Sequence, residues 1–333
     1  MHDRKHGTSN KWRATALLAL ACAGAALHAH ADDLGDSPAG NARFTGPLVS
    51  GPPALPQGLL VVEPYLLFHR DHGRYDRDGE RIAGDGPDLW QLSVPIIYGL
   101  TDRLTLQATL NAFRGDNGLA DTVTRAGDAS VQMLYGLWKG EGRLPSTLTF
   151  VFSQNLPIGT HDKLALHPDN IATGSGAATT RVGFNTQSYA HVGGRLLRTR
   201  TNLRWRAPHD GIPVHGQSTY GTQRGFEGEA ELRTAWDATV GAEYVLNRTW
   251  VLAMDAIYER SSGFHVRGLA PDASGALKAT RIDQDGGWRL SFAPAVQAHV
   301  SDTVGVIAGV FVSTHGRNTS AALSPQVAVN LVF

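Results

Sequence analysis

Along most of this chain polar and apolar side chains alternate with a period of two. The stretch LRTRTNLRWR, Leu197 to Arg206, places Arg198, Arg200, Asn202, Arg204 and Arg206 at every second position, with Leu197, Thr199, Thr201, Leu203 and Trp205 between them. EAELRTAWDATVGAEY, Glu229 to Tyr244, sets Glu229, Glu231, Arg233, Asp237, Thr239 and Glu243 against Ala230, Leu232, Trp236, Ala238, Val240 and Tyr244. An extended strand points successive side chains to opposite faces, so each stretch has one ionic and one apolar face. The same test predicts twelve strands, near 58–69, 87–99, 103–113, 127–138, 146–156, 180–191, 195–206, 229–245, 249–260, 287–300, 303–314 and 322–333. A helical period of 3.6 is hard to find anywhere after residue 31.

The connections sort into two kinds. Leu100-Thr101-Asp102, Val192-Gly193-Gly194, Leu246-Asn247-Arg248 and Ser301-Asp302 are tight turns, and 140–145 is little longer. Between them lie long polar segments at 71–86, 114–126, 157–179, 207–228 and 261–286, and a shorter one at 315–321. Short and long alternate throughout. That is the arrangement of an outer-membrane barrel, with short periplasmic turns and longer extracellular loops. The predicted fold is therefore all-β, an antiparallel transmembrane β-barrel of the bacterial outer membrane with about twelve strands. In lipid the sheet must close, because an unpaired edge has no water to bond. Trp90, Tyr98, Trp205, Tyr244, Trp250, Tyr258 and Trp288 fall near strand ends on the apolar faces, where interfacial girdles are expected.

The first residues are of another kind. Arg4, Lys5, Lys11 and Arg13 precede the apolar run Ala14 to Leu27, and Ala29-His30-Ala31 provides a small-x-small cleavage site. Residues 1–31 are expected to be a signal peptide cleaved after Ala31, since the run is too short to span a bilayer. The single cysteine, Cys22, lies within it, and a lipoprotein reading of Ala19 to Cys22 is disfavoured by the short run before it. Residues 32–57 are rich in Pro and Gly and carry no strand pattern; they are expected to form a periplasmic tail, with a partial plug as the alternative. The barrel would occupy 58–333. Residues 1–31 hold four Lys/Arg and one Asp, so the even balance of the whole chain, 30 positive against 30 negative, becomes mildly acidic without them. A dedicated nucleic-acid binder should instead be basic.

The polar face of a membrane barrel looks into its lumen. Candidate lumen and selectivity residues are Arg198, Arg200, Arg204, Arg206, Glu229, Glu231, Arg233 and Asp237, with Glu63, Arg103, Asp128, Arg181, Glu243, Asp255, Glu259 and Arg289 also predicted inward. The arginine strand and the acidic strand follow one another, so their charges can pair across the ladder, either as a structural network or as a transverse field acting on solutes. Twelve strands lie between the filled eight-stranded barrel and the open porin, so a narrow or partly occluded pore is expected. A lipid-modifying barrel enzyme would need a Ser/His pair on the outer face. His191, His265, His299 and His315 are available and Ser313 is near His315, but Ser313 is predicted inward. No enzyme activity, metal or other cofactor is expected. The expected partners are outer-membrane lipid, a small-molecule solute and the barrel-insertion machinery, with no nucleic acid.

Several stretches resemble one known group. Val62-Glu63-Pro64-Tyr65, YGLTDRLTL (Tyr98 to Leu106), Gly127-Asp128 and NLPIGT (Asn155 to Thr160) resemble the outer-membrane proteins of the MetA pathway of phenol degradation, a transporter family. The last departs from that family's usual Leu-Pro-Thr-Gly-Asp, with Ile158 and Thr160 in place of Thr and an acid. The resemblance implies a barrel passing small molecules, often aromatic, across the outer membrane. The C-terminal QVAVNLVF, ending on Phe333, looks like the aromatic signal read by insertion machinery. The function expected is an outer-membrane channel for passive or facilitated diffusion of small molecules, aromatic or hydrophobic ones included; the alternatives are the lipid-modifying enzyme and a non-conducting structural barrel.

Overall fold

The computed structural model describes residues 44–84, 86, 88–116, 123–141, 144–167, 169–209 and 211–333. The predicted signal peptide and residues 32–43 lie outside the described residues. The strands are β1 (Leu60–Val62), β2 (Tyr65–Tyr75), β3 (Arg81–Ile82), β4 (Asp88–Gly99), β5 (Leu104–Asp116), β6 (Thr124–Ala126), β7 (Ala129–Lys139), β8 (Thr147–Leu156) and β9 (Thr179–Val192). They continue with β10 (Arg195–Pro208), β11 (Ile212–His215), β12 (Glu227–Leu232), β13 (Ala235–Val245), β14 (Trp250–Pro271), β15 (Leu277–His299), β16 (Val304–Arg317) and β17 (Thr319–Val332). β1 with β2, β6 with β7, and β12 with β13 each form one interrupted wall, while β3 and β11 are short additions at the extracellular end. The result is a closed barrel of twelve antiparallel walls. Closure comes from β17 meeting the first wall, with Val61 opposite Val332 and Leu66 opposite Val327.

The walls alternate as a membrane requires. Leu110, Leu203 and Val240 face outward with 53, 53 and 54% of their surface exposed, while Arg200, Asn202 and Thr239 on the same walls are buried inward. An exposed apolar belt of this kind is costly in water and favourable in hydrocarbon. No helix among the described residues is long and apolar enough to cross a membrane. At the β9–β10 turn Gly193 and Gly194 both have positive φ, 59° and 76°, as a two-residue hairpin needs, with Arg195 directly opposite Val192.

Two predicted loops are largely strand, and a third is strand in part. β2 runs on to Tyr75, and β14 and β15 pair from Trp250↔Ala298 to Pro271↔Leu277, leaving only Asp272–Ala276 as a turn where 261–286 was expected to be loop. The predicted connection at 315–321 reduces to Asn318, at φ 48°. Above the bilayer a ladder needs no lipid-facing apolar side, so the alternation that marks the strands below is lost while the pairing continues.

The loss of pattern has a local cause. Wall β12–β13 is interrupted at Arg233-Thr234, and the β14–β15 ladder skips Ser262 and Gly286, passing from Ser261↔Gly287 to Gly263↔Asp285. Gly263 has φ 86°, a conformation that glycine adopts without strain. The register is the same on both sides of each interruption, yet the faces invert across it: inward positions are odd-numbered below on β13 and β14 and even-numbered above on β12 and β14. Below it Asp237 points inward and Trp236 outward; above it Ala230 and Val266 are fully buried inward, in a core with Ile212, Val214, Tyr220 and Phe226. Glu229, Glu231 and Arg233 were expected in the lumen, but they stand exposed on the outer face of this extracellular extension. Just beneath the inversion Trp236, Tyr258 and Trp288 form a row of rings with centroids 5.1 and 6.0 Å apart, at the height of an interfacial girdle.

Candidate functional site: the barrel lumen

The periplasmic half of the lumen is crossed by the chain's own N-terminal segment. Thr45 N donates to Gln297 Oε1 at 3.1 Å, and Gln297 Nε2 donates back to Gly46 O at 3.0 Å. Val49 N donates to Asp255 Oδ2 at 2.9 Å, and Ser50 Oγ donates to the other carboxylate oxygen. The path continues through Gly51 N to Asn202 Oδ1 (2.9 Å), Asn185 Nδ2 to Pro52 O (2.8 Å) and Leu55 N to Thr105 Oγ1 (2.7 Å), reaching Asp102 in a periplasmic turn at Gln57 N (3.1 Å). Leu48 supplies the apolar anchor, packed among inward-facing Ala253, Ile257, Ala293, Ala295 and Ile307. Residues 44–57 therefore lie inside the barrel rather than as the expected periplasmic tail. An extended segment without neighbouring strands must bond its amides elsewhere, and the inward Asn, Gln, Thr and Asp side chains accept them.

Two arginines of β10 belong to this lower half. Arg198 Nε and Nη2 donate to Glu243 at 2.6 and 2.7 Å, with 6 and 0% of the two residues exposed. Gln297 Nε2 donates to the same carboxylate at 2.7 Å, and the Arg198 guanidinium lies 4.1 Å from the Phe44 ring centre. Arg200 donates to Gln187 Oε1 (3.1 Å) and to Ser50 O (3.3 Å). This is a closed structural network, built from walls β9, β10, β13 and β15 and the crossing segment.

Higher in the barrel the lumen wall divides. On one side a chain of neutral groups runs around it: Ser324 Oγ to His69 Nδ1 (2.6 Å), His69 Nε2 to Gln91 Oε1 (2.7 Å), Gln91 Nε2 to Asn111 Oδ1 (2.9 Å), and Asn111 Nδ2 to Asp128 O (2.7 Å). The Asp128 carboxylate then accepts Gly159 N at 3.0 Å and Ser175 N at 2.9 Å, tying the 157–178 loop to the wall. On the other side stand Arg181, Arg204, Arg206 and Asp237, and the pair Arg289–Glu259, joined at 2.7 and 2.8 Å. A cavity of about 360 Å³ opens against this side, lined by Arg181, Arg206, Asp237, Phe264, Trp288 and Arg289 among others, at the level where the walls are interrupted. Above it, the loops 157–178 and 209–226 are stitched together by His215 N to Asp162 Oδ2 (2.9 Å) and Thr219 N to His161 O (2.8 Å), and they cover part of the mouth.

Of the predicted lumen residues, Arg198, Arg200, Arg204, Arg206 and Asp237 face inward, but at two heights and in two chemical settings. Arg103 sits exposed in a periplasmic turn. The neutral row of His69, Gln91, Asn111 and Ser324 was missed because attention to charge passes over amides and hydroxyls; their inward period-two positions were the available signal. Ser313 and His315 are not bonded to each other. Ser313 Oγ accepts Ala322 N, and His315 Nδ1 meets Thr314 Oγ1. Among the described residues no cluster of three or more His, Cys, Asp or Glu could hold a metal ion.

No family model matches this sequence, and no curated protein does. Solved structures do. The COG4313 outer membrane channel from Pseudomonas putida F1 aligns over 84% of this chain and 97% of its own, with 15% identity and a TM-score of 0.57. Weaker likenesses include the translocator domain of the autotransporter NalP from Neisseria meningitidis (16% identity, 96% of this chain and 97% of that one, TM-score 0.41). The TodX monoaromatic hydrocarbon channel follows (12% identity, 84% and 90%, TM-score 0.36). The first likeness shows the fold: this chain is a barrel of the outer-membrane type.

Proposed function

We propose that the protein is an outer-membrane channel through which small molecules cross by passive or facilitated diffusion. The observation that carries the reading is the manner in which the lumen is filled. A single extended segment, residues 44–57, crosses it on hydrogen bonds to side chains of the surrounding walls, and a polar chamber remains above. A structural barrel of this size could close with a continuous packed core. A segment held by polar contacts can instead be displaced, and its movement would open a narrow passage in its place. The likeness to a known outer membrane channel supports the same reading, and the resemblance to the MetA-pathway proteins supports it too and points to small aromatic solutes. On this reading Phe333, 69% exposed at the closing seam, is offered to the insertion machinery, and the apolar belt meets outer-membrane lipid. The test is current through refolded protein in a planar bilayer, together with solute entry into protein-bearing liposomes. Small steady conductance and passage of small solutes only are expected; a bilayer and liposomes that stay sealed to every solute would overturn the reading.

A further inference from the structure

The upper lumen carries an unbalanced charge cluster that the fold does not use. Arg181 and Arg206 stand directly opposite one another across β9–β10, a like-charge pair that costs stability. Arg204 is two residues along on the same face and opposite Asp237 across β10–β13. Among the described residues, neither a hydrogen bond nor an ion pair within 4 Å joins Arg181, Arg204 or Arg206 to a carboxylate, and the Nε atoms of Arg181 and Arg204 are buried with no partner. Glu259 is already engaged by Arg289. Three guanidiniums thus face one free carboxylate, and Arg181 and Arg206 line a cavity of about 360 Å³ that Phe264 also lines. On the neutral half of the same level the row from Ser324 round to Asp128 is bonded throughout.

We propose that Arg181, Arg204 and Arg206 form a binding site for the carboxylate of a small organic acid, with the organic body of the molecule held in the adjoining cavity. Guanidiniums present paired donors that match a carboxylate, and an anion placed among them relieves the Arg181–Arg206 repulsion. The cavity volume is in the range of small-molecule sites. The proposal deepens the channel reading by naming a solute class, and it rests on that reading only for its physiological meaning.

The test is calorimetric titration of the purified full-length protein in detergent with benzoate and with its neutral analogue benzamide. Benzoate is expected to bind at least about tenfold more tightly than benzamide, and to lose about tenfold in Arg181→Gln and in Arg206→Gln. Arg206→Lys, which keeps the charge but not the paired donors, should bind between the parent and Arg206→Gln, and an unfolding midpoint in the Gln variants equal to the parent's shows that the loss is not misfolding. Equal binding of benzoate and benzamide, no binding of benzoate, or unchanged affinity in both Gln variants would overturn the site. Binding is read without flux, so a protein that holds benzoate but conducts nothing keeps the site and loses the channel reading. One that conducts without discriminating benzoate from benzamide does the opposite.

Discussion

Two pairs of arginines on one strand, four residues apart, live in different worlds. Arg198 and Arg200, near the periplasmic end of β10, are sealed among Glu243, Gln297, Gln187 and the crossing segment, with specific hydrogen bonds. Arg204 and Arg206, on the same face, have no carboxylate bonded to them; Arg206 opens onto the chamber with Arg181 as its neighbour, and Arg204 lies between that chamber and Gly51 of the crossing segment. Identical side chains on a perfect alternation thus divide into a structural pair and a free pair. What separates them is the partners on offer: residues 44–57 and Glu243 bond the lower pair, whereas the segment reaches the upper pair only as a van der Waals neighbour of Arg204 at Gly51.

The largest effect should come from the structural pair. Glu243→Ala leaves the Arg198 charge buried and unpaired, which is expected to cost about 3–5 kcal/mol, measurable as a lowered unfolding midpoint in denaturant. Arg206→Gln should change stability by no more than about 0.5 kcal/mol while shifting ion preference toward cations in a salt gradient. If the two variants destabilised equally, the distinction would collapse. Removing residues 44–57 is next: single-channel conductance should rise several-fold, and the Arg198–Glu243 wall should become accessible to solute. Gly51→Val is subtler. A Cβ at Gly51 would lie 2.6 Å from Arg204 Nη2, so the segment or the arginine must shift, and conductance should change while the midpoint moves little.

The smallest effect lies outside the membrane. The Asp272 carboxyl, in the β14–β15 turn, is held well below the usual carboxylate range by Lys278 and by the Ser274 hydroxyl and amide. A depressed pKa adds order that is fully present above the unfolded value of about 3.9 and is lost as pH falls through the folded one. Amide exchange in 272–276 should therefore stay slow through mild acid and quicken only in strong acid; Asp272→Asn should be fast throughout.

The sequence was most legible where lipid imposes its rule. Leu203, Trp205, Val240 and their alternates could be assigned to faces because hydrocarbon accepts only apolar groups. It was least legible where that rule ends. Glu229, Glu231 and Arg233 continue the alternation of Asp237 and Glu243 in the string of residues, yet the break at Arg233-Thr234 inverts their side, and a local backbone irregularity of this kind leaves no compositional mark. His69, Gln91 and Asn111 are scattered over β2, β4 and β5, and only the order of neighbouring walls brings them into one chain.

Alternation, turn lengths and the apolar belt were determined by the sequence itself, since each is a local demand of backbone geometry and bilayer on consecutive residues. Barrel closure made the lumen a shared space, and only there was it decided which polar side chains meet. The Pro- and Gly-rich segment 44–57, without a pattern of its own, took its course from acceptors on distant walls. For that reason its place, and with it the division between bound and free arginines, belongs to the tertiary structure.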